Sequence, residues 1–217
     1  SIQSNGKIIT TGSTSQGNGW DAFAARMNSD GTLDLSYGIN GLATAGFSGN
    51  QRVRSALQDS DGNLFISGVS ESESTYDFFL TKLNADGDVD SRFNNGSGIT
   101  YINFGGNDSS QAAALQDDGK IILAGMTDAI DGTGALALTR IMPNGTIDAK
   151  FGTGGRTVID GVDDNNPWFE VTDVKTSIDG RIVALFTTGY TSATIPFDSS
   201  GKLLAGYITG SVDSDSF

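Results

Sequence analysis

The chain is 217 residues long and carries 26 acidic against 13 basic side chains, a formal net charge of −13, with no cysteine, no histidine, 3 prolines and 30 glycines. Disulfides, thiol nucleophiles, zinc sites of the usual ligand set and histidine general bases are thereby excluded. So large an acid excess argues against nucleic acid or an anionic membrane surface as partner, because both are bound through clustered Lys and Arg.

The acid is almost entirely aspartate, since Glu71, Glu73 and Glu170 are the only glutamates, and aspartate favours turns where glutamate favours helices. No apolar run is long enough for a membrane-spanning helix, so no membrane insertion is expected. The first twenty residues lack the charged-then-apolar layout of a signal peptide. Ser1 in place of Met reads as a processed or excised chain.

Taken in chain order, the residues repeat. Ile2-Gln3-Ser4-Asn5-Gly6-Lys7-Ile8-Ile9 returns as Leu57-Gln58-Asp59-Ser60-Asp61-Gly62-Asn63-Leu64, as Leu115-Gln116-Asp117-Asp118-Gly119-Lys120-Ile121-Ile122, and as Ser177-Ile178-Asp179-Gly180-Arg181-Ile182-Val183. The glycines are spaced by 56, 57 and 61 residues. A second motif runs in step: Asp30-Gly31-Thr32-Leu33-Asp34, Asp86-Gly87-Asp88-Val89-Asp90, Asn144-Gly145-Thr146-Ile147-Asp148 and the weaker Ser200-Gly201-Lys202-Leu203-Leu204. A third, Tyr37-Gly38, Phe93-Asn94 and Phe151-Gly152, is missing from the fourth copy.

Each copy alternates short β-rich runs with Gly, Asp, Asn and Ser, as strands joined by turns require. No segment holds helical periodicity. Four short strands per period of about 57 residues predict an all-β, propeller-like array of four-stranded antiparallel blades. Residues 1–217 are read as one repeat domain, with copies at about 1–56, 57–114 and 115–175 and an incomplete copy at 176–217. Its core is expected from Ile8, Leu64, Ile121 and Ile182 on one strand of each copy and Met27, Leu83, Ile141 and Phe197 on the next. The short fourth copy is expected to leave an unpaired edge along residues 203–208, completed by another chain or by a further segment of a parent protein.

The succession LQDDGKIILAG from Leu115, ALTRIMPNGTID from Ala137 and KFGTGG from Lys150 resembles the delta-60 repeat of bacterial secreted and surface proteins. The resemblance covers nearly all of residues 1–175. It implies propeller-like blades, an extracellular or cell-surface setting, often within adhesin-like chains, and no particular catalysis. The sequence departs from that pattern at Phe186, where the other copies carry Gly12, Gly68 and Gly125.

Three features could carry chemistry. Asn84, Asp86, Asp88 and Asp90 alternate, and oxygen ligands so spaced suit Ca2+, the hard cation expected of a chain without soft ligands. The same residues read more simply as a glycine hairpin turn, since Ser91 stands where an EF-hand needs glycine. Eleven residues before each second-motif glycine stand Trp20, Tyr76, Gly134 and Tyr190, with Asp21 and Asp77 following the first two. Aromatic rings beside carboxylates suit a sugar ring or a peptide side chain. Trp168 lies in an insertion peculiar to the third copy.

The sequence thus reads as a non-catalytic extracellular or cell-surface module, a scaffold or a carbohydrate- or peptide-binding platform that needs no cofactor. The alternatives are a carbohydrate-active hydrolase using an aspartate pair and a self-assembling structural subunit.

Overall fold

In a computed structural model, residues 1–15, 19–72, 75–130, 132–160, 169–188, 191–205 and 208–210 are described. They form fifteen strands and one 3-10 turn at Phe93–Gly96. The strands build four antiparallel meanders. The first holds β1 (Ile8–Ser15), β2 (Trp20–Met27) and β3 (Leu42–Ala45). The second holds β4 (Asn50–Gln58), β5 (Leu64–Ser72), β6 (Thr75–Leu83) and β7 (Ile99–Ile102). In the third are β8 (Asp108–Leu115), β9 (Ile121–Ile130), β10 (Thr133–Ile141) and β11 (Arg156–Ile159). The fourth comprises β12 (Glu170–Thr176), β13 (Ile182–Thr188), β14 (Thr191–Phe197) and β15 (Ile208–Gly210).

Both glycine motifs make the turns that space these strands. Gly6, Gly62, Gly119, Gly180, Gly31, Gly87, Gly145 and Gly201 all take φ between 78° and 93°, a region closed to most side chains. The expected core positions meet as cross-strand partners: Ile8 opposite Met27, Leu64 opposite Leu83, Ile121 opposite Ile141 and Ile182 opposite Phe197. The last three pairs are fully buried, while Ile8 and Met27 of the first sheet are partly exposed.

The chain separates into two compact units, Ser1–Ile102 with Asn144–Thr146, and Asn103–Pro143 with Ile147–Phe217. Each has its own apolar core. In the first, Ala22, Ala24, Tyr37, Ile66, Phe79 and Leu83 gather where β4 packs across β1 and β2. The second is built around Leu136, Phe151, Phe169, Val174, Phe186 and Phe197, with β12 packed across β8 and β9.

The sheets are framed one strand earlier than the sequence repeat. The run that ends each copy, such as residues 170–176 at the close of the third, is the first strand of the following sheet. The fourth sheet therefore has four strands, with β15 outermost: Ile208 pairs with Thr194, and Leu203 bridges Phe197 and packs on the core. The three-stranded sheet is the first. Among the described residues only Ser1 and Ile2 stand where a first strand would run, with Ser1 and Ile9 exchanging two backbone hydrogen bonds of 2.9 Å.

First strands are bulged between Val53 and Ser55, Ser110 and Ala112, and Val171 and Asp173. The bulge explains a mid-strand glycine: a Cβ on Gly68 would lie 2.0 Å from the Arg52 carbonyl oxygen, and one on Gly125 1.9 Å from that of Ser109. In the fourth sheet Phe186 takes that place and its ring packs edge-on against Phe169 at 5.6 Å.

Successive copies are locked by the third motif. The Tyr37 ring lies against Gly87, Phe93 against Gly145 and Phe151 against Gly201, so closely that a Cβ on any of the three glycines would overlap the ring. Beside each ring the following backbone N–H donates to the next turn over 2.7 Å, from Gly38 to Asp86, Asn94 to Asn144 and Gly152 to Ser200. A basic side chain braces the same turn. Arg26 lies over the Tyr37 ring at 4.5 Å, pairs with Asp34 at 2.6 Å and reaches the Ala85 carbonyl at 2.7 Å. Arg140 repeats this over Phe151, with Asp148 at 2.9 Å and the Ser199 carbonyl at 2.6 Å.

Candidate functional site

The starts of β2 and β6 carry two of the expected aromatic residues. Trp20 stands opposite Ser15 at the start of β2, and Tyr76 stands opposite Glu71 near the start of β6. Their side chains are open to solvent, Trp20 at 47% and Tyr76 at 39% exposure.

Asn50 and Glu71, partners across β4 and β5, tie the two together. The Trp20 N–H donates to Asn50 Oδ1 at 2.9 Å, Asn50 Nδ2 donates to Glu71 Oε2 at 3.5 Å, and the Tyr76 hydroxyl donates to Glu71 Oε1 at 3.3 Å. Arg52 pairs with Glu71 at 3.4 Å. A third ring, Tyr101 on β7, is 40% exposed and donates through its hydroxyl to the Ser48 carbonyl at 3.3 Å, an oxygen that Gln51 Nε2 also reaches. Burial pushes the Tyr101 hydroxyl above its ordinary value, against those hydrogen bonds. Flat apolar faces beside an amide, a carboxylate and a guanidinium can stack on a sugar ring or a peptide side chain and hydrogen-bond its rim.

Asp21 is half-buried beside Gly46, where a Cβ would lie 3.4 Å from its carboxylate, and Asp77 is half-buried opposite Ser70. Tyr190 and Trp168 lie outside the described residues, as do the adjacent Asp163 and Asp164 beside Trp168 in sequence. Asn50, Arg52, Glu71 and Tyr101 escaped the sequence reading. Their only signal was Glu71, one of three glutamates in the chain.

The alternating acids around Gly87 form a closed turn. Asn84 Oδ1 accepts the backbone N–H of Asp86 at 3.0 Å and of Asp88 at 2.9 Å. Asp90 turns to Lys82 at 3.2 Å and Arg92 at 3.3 Å. Among the described residues no three carboxylates converge as a metal site. In this arrangement the turn uses the Asn84 oxygen, and two cations hold the Asp90 carboxylate.

Six described aspartates have carboxyls displaced downward. Lys7 first, with Ser36 and Arg26, holds Asp34 far below the ordinary carboxylate range. Burial raises Asp90, but the Arg92 N–H and Lys82 outweigh it. Hydrogen bonds from Thr32, Lys120, Ser177 and Ser200 lower Asp30, Asp118, Asp179 and Asp198. A general acid needs the opposite displacement.

Three segments of the chain, residues 3–37, 60–93 and 116–151, match the family model described as a domain of unknown function (DUF5122), beta-propeller. Each match runs from a first motif to the aromatic residue of the third, in step with the repeat. The chain carries β-propeller repeats.

No curated protein matches these propeller repeats. Among solved structures, the repeats are similar to MPT-4, a mannose phosphorylase from Leishmania mexicana in complex with phosphate ion, at 13% identity over 94% of this chain and 69% of that one, with a TM-score of 0.49. A protein from Lactobacillus plantarum is similar at 12% identity over 93% of this chain and 81% of that one, with a TM-score of 0.26. At that identity and those scores neither likeness bears on chemistry.

Proposed function

We propose that the chain is a non-catalytic propeller-repeat module of an extracellular or cell-surface protein, a scaffold whose loop end binds a carbohydrate or peptide through Trp20 and Tyr76. The observation that carries this reading is the pair of open rings joined through Asn50 and Glu71. Six aspartates support the non-catalytic part, because turns and ion pairs hold them anionic and a glycosidase acid must hold its proton near neutral pH. The test is a glycan- and peptide-array screen followed by titration of the best ligand into the Trp20→Ala/Tyr76→Ala variant. Loss of binding with an unchanged melting temperature supports the reading. Binding that survives both substitutions, or turnover of a bound glycan, overturns it.

A further inference from the structure

Nine of the 13 basic side chains stand at salt-bridge distance from a carboxylate. The other four are Arg54, Lys150, Arg156 and Lys202, and three of these line one cleft of the second unit, of about 640 Å³. Its walls are the loop after Asp148, the start of β11 and the turn at Ser200–Leu203, and among the described residues no carboxylate lines it. In a molecule of net charge −13, three cations around one opening, none at salt-bridge distance from a described carboxylate, run against the overall field.

The fold does not require them. Pairing of the β10, β6 and β2 edges places Arg156, Ile99 and Leu42 at equivalent points. Counting from the motif residues, Lys150 corresponds to Arg92 and Ser36, and Lys202 to Thr146 and Asp88. The same lock between copies is thus built elsewhere from apolar, neutral or acidic side chains, and the full cationic trio occurs at this one.

Arg156 is held in place for a ligand. Its Nε donates to the Asn103 carbonyl at 3.0 Å and its Nη1 to the Gly154 carbonyl at 3.3 Å, and the guanidinium sits over the Phe104 ring at 5.9 Å. Further N–H donors of the guanidinium remain. The neighbouring carboxylates are committed elsewhere: Asp198 Oδ1 accepts the N–H of Ser200 at 2.8 Å and of Lys202 at 3.0 Å, and Asp148 pairs with Arg140. Thr153 adds a hydroxyl to the lining. Three cations gathered at one opening repel one another, and a doubly charged anion removes that cost.

We infer that this cleft binds a phosphate-bearing small molecule through Lys150, Arg156 and Lys202. A phosphate monoester carries about −1.5 to −2 charges at neutral pH and presents several acceptor oxygens. The volume is in the range of small-molecule sites, roughly 300–1,000 Å³, and leaves room for a sugar-sized body beyond the phosphate.

The test is calorimetric titration, at constant ionic strength, of inorganic phosphate, a hexose 6-phosphate and the plain hexose into the unaltered chain. The same titrations follow with Lys150→Ser/Lys202→Thr, which installs residues used at the equivalent positions, and with Arg54→Ala. Phosphate compounds bind and the hexose does not; the double variant loses at least about tenfold in affinity, and Arg54→Ala binds as the parent does. Tighter binding of the ester than of inorganic phosphate assigns an organic ligand, and the reverse order assigns free phosphate, both within the proposal. Equal binding of hexose and hexose phosphate, no binding of either phosphate compound, or equal losses in the double variant and Arg54→Ala overturns it. Since the Trp20/Tyr76 variant reads a different unit, failure here leaves that reading standing.

Discussion

Aspartate does two kinds of work at the level of single residues, and acid separates them. The turn aspartates hold backbone N–H groups at the surface, whereas Asp34 joins Lys7, Ser36 and Arg26 at a lock between copies. Its carboxyl lies below the unfolded-chain value of about 3.9, so its stabilising effect is complete above that pH and is lost as pH falls toward the folded value. Asp34→Asn should therefore lower the melting temperature near neutral pH, with the gap to the parent narrowing steadily as pH falls below about 4; thermal melts from neutral pH down through that range measure it. Arg140→Met should cost about 3–5 kcal/mol in chemical denaturation, because it leaves the buried Asp148 carboxylate unpaired and the Ser199 carbonyl without its donor. An Arg140→Met chain as stable as the parent would remove the lock from the account of stability.

The strand pairings were legible because their determinants are local. A positive-φ glycine sets the hairpin, alternation sets the face, and a one-residue slip would turn Leu64 or Ile121 outward. The sheet boundaries were not legible, since β4 is largely polar and only half-buried, and nothing in residues 50–58 shows that they belong to the following hairpin rather than the preceding one. The aromatic end was visible in Trp20 and Tyr76 but not in Asn50 and Glu71, which meet only through the register of β4 on β5. The cationic cleft needs residues 150, 156 and 202 to converge, and spacing alone does not show that. At the level of the element, β1 pairs with β2 alone among the described strands. Ile9 directs its N–H and carbonyl to Ser1, so by alternation Thr11 and Ser13 direct theirs to the same side, where no described strand pairs with them. Their amides should exchange with solvent much faster than those of Thr10 and Gly12, which hydrogen-exchange NMR resolves; equal protection would mean that another strand covers that edge.

For the whole molecule, copies are joined head to tail, each ring seated on the next copy's glycine. Core substitution at a seat should therefore act across copies: Phe151→Ala removes a fully buried ring and should cost about 3–5 kcal/mol, with β14 and the turn at Gly201 losing hydrogen-exchange protection together with β10.

The first copy holds a seat of the same kind that stays bare. No atom lies within 4 Å of where a Gly31 side chain would begin, whereas the equivalent points of Gly87, Gly145 and Gly201 all meet a ring. β1 likewise keeps a mid-strand glycine at Gly12, where a Cβ would meet the Phe23 ring at 2.9 Å rather than the carbonyl of a bulged strand. The bare seat at Gly31 and the glycine kept at Gly12 give the series of copies a direction of growth. An additional copy fused ahead of Ser1 would bring its ring to Gly31 and its closing strand to β1, extending the series without altering any residue already present.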